Sequence, residues 1–252
     1  DFRQDFTALG RLVGLAIFRR VPIGLRFHAA FTRLILNQGK LYKWSFEDVK
    51  ALDPMLYRNK VRYVLDNDVD PLEMVFTDVL DDRNGTGVEI KGSDKQIDLV
   101  PNGSETKVTN ANKAEYVNKM CEGRLHGSTT KQVGAFLDGL YTLIPAKTVA
   151  GLQAVITVDD FTNLVAGLPY IDVEDWELHS RVSGGFEKTD PQVKWFWEVV
   201  KTFNAEQKSG LLHFVTGSRN PPVGGFARLQ GFNGDQKFTI SRISNPITSL
   251  PS

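Results

Sequence analysis

The sequence predicts an α+β fold in two parts: a helix-rich first part with a small mixed α/β insert, then a compact α/β second part. Three observations carry this. Apolar residues recur at three- and four-residue spacing over residues 6–65 and again over 117–144. Between them, residues 72–103 alternate apolar side chains with clusters of turn formers. Gly167-Leu168-Pro169-Tyr170 then marks a boundary, because Gly frees the backbone and Pro stops the preceding helix from continuing.

In chain order, Phe6, Leu9, Leu12, Val13, Ala16 and Ile17 form the apolar stripe of a first helix. Pro22 and Gly24 punctuate a turn. A second helix carries Phe27, Ala30, Phe31, Leu34 and Ile35 on one face. Ser45-Phe46-Glu47-Asp48 has the pattern of a capping box and opens a short helix through Leu52. Residues 57–65 form a further helix. Leu72, Met74 and Phe76 alternate as in a strand, and residues 81–96, rich in Asp, Asn, Gly and Lys, read as a solvated loop or hairpin. Residues 97–100 and the Pro101-Asn102-Gly103 turn add another short strand.

Helical spacing returns with Val117, Met120, Cys121 and Leu125. The clearest helix follows, with Val133, Phe136, Leu137, Leu140, Tyr141 and Ile144 on one face until Pro145. Beyond the boundary, Asp190-Pro191 is a helix start with Pro in the first turn. Val193, Phe196, Trp197 and Val200 line its inner face. A further helix begins near Asn204, and Phe238-Thr239-Ile240-Ser241 alternates as a strand.

The 252 residues allow one large domain or two modest ones. Lys+Arg 30 balance Asp+Glu 30, so no global field draws the chain to nucleic acid or an anionic membrane. The longest apolar run, residues 9–17, is broken by Arg11 and followed by Arg19 and Arg20, too short for a membrane span. A single cysteine, Cys121, excludes an intrachain disulfide and suits a reducing compartment. The start, Asp1-Phe2-Arg3, has no initiator Met or signal peptide and runs straight into a helical pattern, as if cut from a longer chain.

Cys121 is the one thiol nucleophile available. Arg124 and His126 stand near it in sequence, but its place beside Val117 and Met120 is that of a small core hydrophobe. His28, His126, His179 and His213 have no metal-ligand spacing, so no metal is expected. Asp172, Glu174 and Asp175 next to Trp176 read as a helix start rather than an acid pair. Gly184-Gly185 and Gly224-Gly225 lack the Lys-Ser/Thr of a phosphate loop and read as turns. Trp195, Phe196 and Trp197 read mostly as core. The residues by themselves display no active site.

Several segments resemble the HECT domain of ubiquitin ligases. They are Phe6 to Ile17, Val108 to Val117, Gln132 with Ala135-Phe136, Gly139-Leu140 and Ile144-Pro145, and Gly167-Leu168 with Ile171 to Trp176. The ordered series continues through Trp195 to Val200, Phe214 to Arg219, Pro222 to Phe226 and Gln236 to Ile240. The resemblance implies a bilobal HECT-like fold: an N-terminal lobe over 1–166 with a carrier-binding subdomain at about 57–127, a hinge at 167–170, and a C-terminal lobe over 171–252.

It further implies an acyl transfer in which a ligase cysteine takes ubiquitin as a thioester from a ubiquitin-conjugating enzyme (E2) and delivers it to a substrate lysine. No cofactor is implied. The partners would be the E2, ubiquitin and a protein substrate, in the cytoplasm or the nucleus. Val61, Tyr63, Tyr116 and Met120 match the family's E2-binding positions, and Gly167, Leu168, Pro169 and Tyr170 its hinge. In the family a Leu-Pro pair shortly precedes a Thr-Cys holding the nucleophile. Here Leu250-Pro251-Ser252 closes the chain, so the nucleophile is expected just beyond Ser252 and the fragment alone is expected to be inactive. The opening of the N-terminal lobe is expected to be missing as well. The alternatives are a non-catalytic E2-binding module and an unrelated enzyme acting through Cys121.

Overall fold

The computed structural model describes residues 1–81, 94–231 and 234–242 of the chain. Most of the expected 81–96 loop lies outside the described residues, as does the Leu250-Pro251-Ser252 ending. The fold is mixed α/β, with many helices and three two-stranded sheets among the described residues. The chain divides into two compact units: Asp1–Gly14 with Phe27–Val158, and Leu15–Arg26 with Asp159–Ser252.

In unit 1 the expected helices appear as α1 (Phe2–Arg19, whose last residues belong to unit 2), α2 (Ala29–Leu36) and α3 (Phe46–Leu52). The capping box at α3 forms, with the Ser45 N–H donating to the Asp48 carboxylate at 2.8 Å. The helix expected at 57–65 is a composite of α4 (Pro54–Leu56), a π-helical turn (Tyr57–Arg62) and α5 (Tyr63–Asp66). α6 (Lys113–Leu125) and α7 (Thr130–Tyr141) follow the predicted periodicity. α1 and α7 approach at backbone distance. A Cβ on Gly10 would overlap the Phe136 carbonyl, and one on Gly139 the Thr7 carbonyl.

The strand expected at Leu72–Met74–Phe76 is displaced. Pro71 sits in a 3-10 turn over Asp70–Leu72, Val75 makes one bridge to Lys107, and the ladder starts only at β1 (Thr77–Asp81). Met74 and Phe76 instead exchange backbone bonds with Val108 and Thr106, and a clamp fixes the stretch just before them. The Asn110 side chain donates to Asp68 at 2.6 Å and Asp70 at 3.0 Å and accepts from the Val69 N–H at 3.2 Å, holding this stretch as a loop. β2 (Asp94–Asp98) pairs antiparallel with β1 from Thr77↔Asp98 to Asp81↔Asp94, so the strand expected at 97–100 lies three residues earlier. α8 (Ala146–Leu152) completes the elements of unit 1.

Unit 2 contains α9 (Val158–Ala166, from its second residue), α10 (Val173–Leu178), β3 (Arg181–Ser183), α11 (Pro191–Thr202) and α12 (Ala205–Thr216). Beyond these lie β4 (Gln230–Gly231), β5 (Gly234–Asp235) and β6 (Thr239–Ser241). β3 and β6 pair in parallel, Val182 opposite Ile240, with α11 and α12 in the long crossover that parallel strands require. Asp172 caps α10 as its carboxylate neighbours suggested. Trp176 is the centre of this core: its ring stacks on Phe226 at 4.7 Å and meets Phe238 and Trp197 edge-on. Of the aromatic trio, Trp197 is buried, Phe196 half-buried and Trp195 exposed. Three consecutive helical residues span about 200° and cannot all face inward.

Candidate partner-docking site

The residues singled out at 61, 63, 116 and 120 converge on one body in unit 1, built from the π-turn, α5, β1 and α6. β1 alternates, so Val79 faces solvent while Asp78 points in and is only 2% exposed. Burial pushes the Asp78 carboxyl up, but hydrogen bonds from Arg124 and Lys60, with their charges, outweigh it and hold it below the usual carboxylate range. Lys60 Nζ lies 2.6 Å from one Asp78 oxygen and Arg124 Nε 2.8 Å from the other. Arg124 also donates to the Val79 carbonyl at 2.6 Å. One carboxylate thus ties the π-turn, β1 and α6 together.

Tyr116 lies beneath that network. Its hydroxyl donates to the Thr77 carbonyl at 3.3 Å, its ring meets Phe76 edge-on at 5.6 Å, and Lys60 Nζ sits 6.0 Å from the ring centroid. Burial is the main cause pushing its hydroxyl pKa up. Tyr116, Met120 and Val61 all belong to the interior of this body, in one apolar cluster with Val64, Phe76, Val117 and Cys121. Tyr63 is 48% exposed, and Met55, earlier on the same helical run, is 57% exposed. The body therefore offers solvent a helical run with apolar side chains, bedded on Val61, Tyr116 and Met120. A π-turn inserts an extra residue into a helix and is frequent at functional sites.

Sequence reading missed Lys60, Asp78 and Arg124. They stand 18 and 46 residues apart from the shared carboxylate, and no periodicity links them. Asp78 followed by an outward Val79 was the one available signal, and it needs the strand in correct register.

Cys121 is fully buried in the same cluster. Its thiol is pushed up to about 12, first by burial and then by the Asp78 and Glu122 charges. A nucleophilic thiol needs the opposite shift and an open approach, so the reading of Cys121 as a catalytic residue is withdrawn.

The histidines have separate local roles. His28 Nδ1 accepts the Ala30 N–H at the start of α2, His126 Nε2 contacts the Gly39 carbonyl, and His179 Nδ1 pairs with Asp175 at 2.8 Å. Among the described residues no group of His, Cys, Asp or Glu could hold a metal ion. No described helix is long and apolar enough to cross a membrane.

Residues 167–170 fall within unit 2. Gly167 has φ +83°, and a Cβ there would meet Asn220, Pro221 and Pro22. Its carbonyl accepts from Arg26 at 3.2 Å, and the Leu168 N–H donates to the Pro221 carbonyl at 2.8 Å. Tyr170 is exposed.

Comparison with known proteins adds a family. Residues 2–252 match the family described as HECT-domain (ubiquitin-transferase). The chain is 38% identical over 247 residues to the probable E3 ubiquitin-protein ligase hulA of Aspergillus clavatus, covering 98% of this chain and 28% of that protein. The hulA protein of Neosartorya fischeri gives the same identity and coverage. The E3 ubiquitin-protein ligase HACE1 of Danio rerio is 33% identical over 252 residues, all of this chain and 26% of that protein. The chain spans about a quarter of the length of these relatives.

Proposed function

The chain belongs to the HECT-domain (ubiquitin-transferase) family, and from that membership we propose that it is the E2-docking part of a HECT-type E3 ubiquitin ligase. The carrying observation is the match over residues 2–252. In this reading the domain is bilobal, and unit 1 receives the ubiquitin-charged E2 on the helical run that displays Met55 and Tyr63. Val61, Tyr116 and Met120, expected as contacts, lie buried beneath it and act as the bed that fixes this surface. Exposed apolar side chains on a rigid helical run are the usual form of such a groove.

The acceptor cysteine is proposed to follow Leu250-Pro251-Ser252 in the longer protein, as the family pattern has it. Its thiolate attacks the thioester carbonyl, expels the E2 thiolate, and later yields the acyl group to a substrate lysine. Exchange of one thioester for another is nearly balanced, so the protein's work is positioning. Residues 167–170 are the proposed pivot that brings the second lobe to the first.

The alternative reading is a module that holds the E2 without taking ubiquitin. Titration of an E2 against the chain tests the docking surface common to both. Tyr63→Ala should lose about 2 kcal/mol, roughly thirtyfold in affinity. Wild-type affinity in the folded variant would remove Tyr63 from the surface.

A further inference from the structure

Met55 and Tyr63 are eight residues apart. At 3.6 residues per turn, a regular helix would set their side chains about 80° apart. The run between them is not regular, because Tyr57–Arg62 form a π-helical turn. Such a turn carries one extra residue. That residue takes up about 100° of rotation and leaves the two side chains about 20° apart. Met55 and Tyr63 therefore share one face, and both are exposed there. At regular pitch the run would turn one of them away from the other.

π-helical turns are rare, and a chain keeps one only where its surroundings hold it. Among the described residues, Lys60 is the one side chain of this turn that hydrogen-bonds to another element. Arg58 donates to the Met55 sulfur at 3.3 Å and Arg62 pairs with Asp66 at 2.9 Å, both within the helical run. Lys60 Nζ instead donates to Asp78 of β1 at 2.6 Å. Its target is fixed, since the Asp78 side chain is 1% exposed and Arg124 of α6 holds the other oxygen at 2.8 Å. The ammonium also lies 6.0 Å from the Tyr116 ring centroid. The Lys60 head group is thus engaged within the body, and it acts on the docking surface through the pitch of the run.

Given the docking reading above, on which this rests, we infer that Lys60 is a positioning residue for the E2. Its bond to Asp78 pins the π-turn that sets Met55 and Tyr63 on one face as a paired apolar contact. Without Lys60, Asp78 keeps Arg124, so β1 and α6 stay joined while the turn is released. The core beneath is retained, and the surface loses its alignment.

Titration of an uncharged E2 against single and double variants of the intact chain tests this, with a cooperative thermal melt required of each. Lys60→Met should bind roughly tenfold more weakly. Lys60→Arg, whose guanidinium can still reach Asp78, should stay within roughly twofold of wild type. The deciding readout is coupling. Met55→Ala should cost roughly fivefold in the wild-type chain and less than roughly twofold beside Lys60→Met, because Met55 no longer shares the Tyr63 face. An equal Met55→Ala effect in both backgrounds would overturn the inference, as would wild-type affinity in Lys60→Met. Lys60→Gln takes the place of Lys60→Met if the latter does not melt cooperatively. Tyr63→Ala separates the two levels. If it weakens binding while Lys60→Met does not, the docking surface stands and the positioning role falls; if neither weakens it, the docking reading falls as well.

Discussion

Asp78 is a carboxylate held in the interior of unit 1, and it stays charged because two cations reach it from different elements. Removing one partner of a buried ion pair leaves the others unsatisfied. Asp78→Asn should therefore destabilise unit 1 by about 3 kcal/mol, the low end for buried pairs because Lys60 and Arg124 are partly solvated. The pKa of Asp78 is lowered in the folded state. Its contribution is then fully present above the ordinary Asp value of about 3.9 and is lost as pH falls through the lower folded value. Urea unfolding of wild type and Asp78→Asn should converge in acid and diverge toward neutrality; a pH-independent gap would contradict the assignment. Cys121 gives a second test at this scale. With its thiol raised to about 12 and no exposure, it should resist maleimide at neutral pH in the folded chain and react completely in urea. Rapid labelling of the native protein would reopen the question of its reactivity.

Elements were legible where their signals are local. The Ser45 capping box, the Asp190-Pro191 start and the long stripe of α7 are written within a few residues each, and the structure follows them. α12 closes a box of the same kind, with Asn204 accepting the Gln207 N–H and Gln207 accepting the Asn204 N–H, both at 2.9 Å. Asn204→Ala should cost about 1 kcal/mol in thermal unfolding of unit 2. The stretch from Asp68 to Phe76 is set by distant partners instead, Met74 and Phe76 bonding to Val108 and Thr106. Asn110, some forty residues away, clamps Asp68 and Asp70, and no local pattern announces that. α8 and β3 were missed too, the first lacking a long stripe and the second being three residues long, while α9 was expected only as the helix that Pro169 stops. The crossing of α1 and α7 hides likewise in two ordinary-looking glycines, and Gly139→Ala should cost about 1–3 kcal/mol because the helices must separate. An unchanged melting temperature in that variant would argue against backbone contact there.

At the scale of the whole molecule, the candidate docking site is proposed from the family resemblance alone. That resemblance directed attention to Val61, Tyr63, Tyr116 and Met120, while composition and spacing displayed no chemistry. The division between solvent-facing Tyr63 and the interior trio depends on a helical face set by the π-turn, which sequence periodicity does not reveal. The chain forms two compact units, and each has its own apolar cluster. The most direct test mixes ubiquitin-charged E2 with this chain and with the chain continued through the Thr-Cys proposed to follow Ser252, and looks on a non-reducing gel for a reductant-sensitive ubiquitin adduct. The expected result is an adduct on the continued chain alone, untouched by Cys121→Ser. An adduct on the 252-residue chain that disappears in Cys121→Ser, or a folded, E2-binding continued chain that never acquires ubiquitin, would contradict the account.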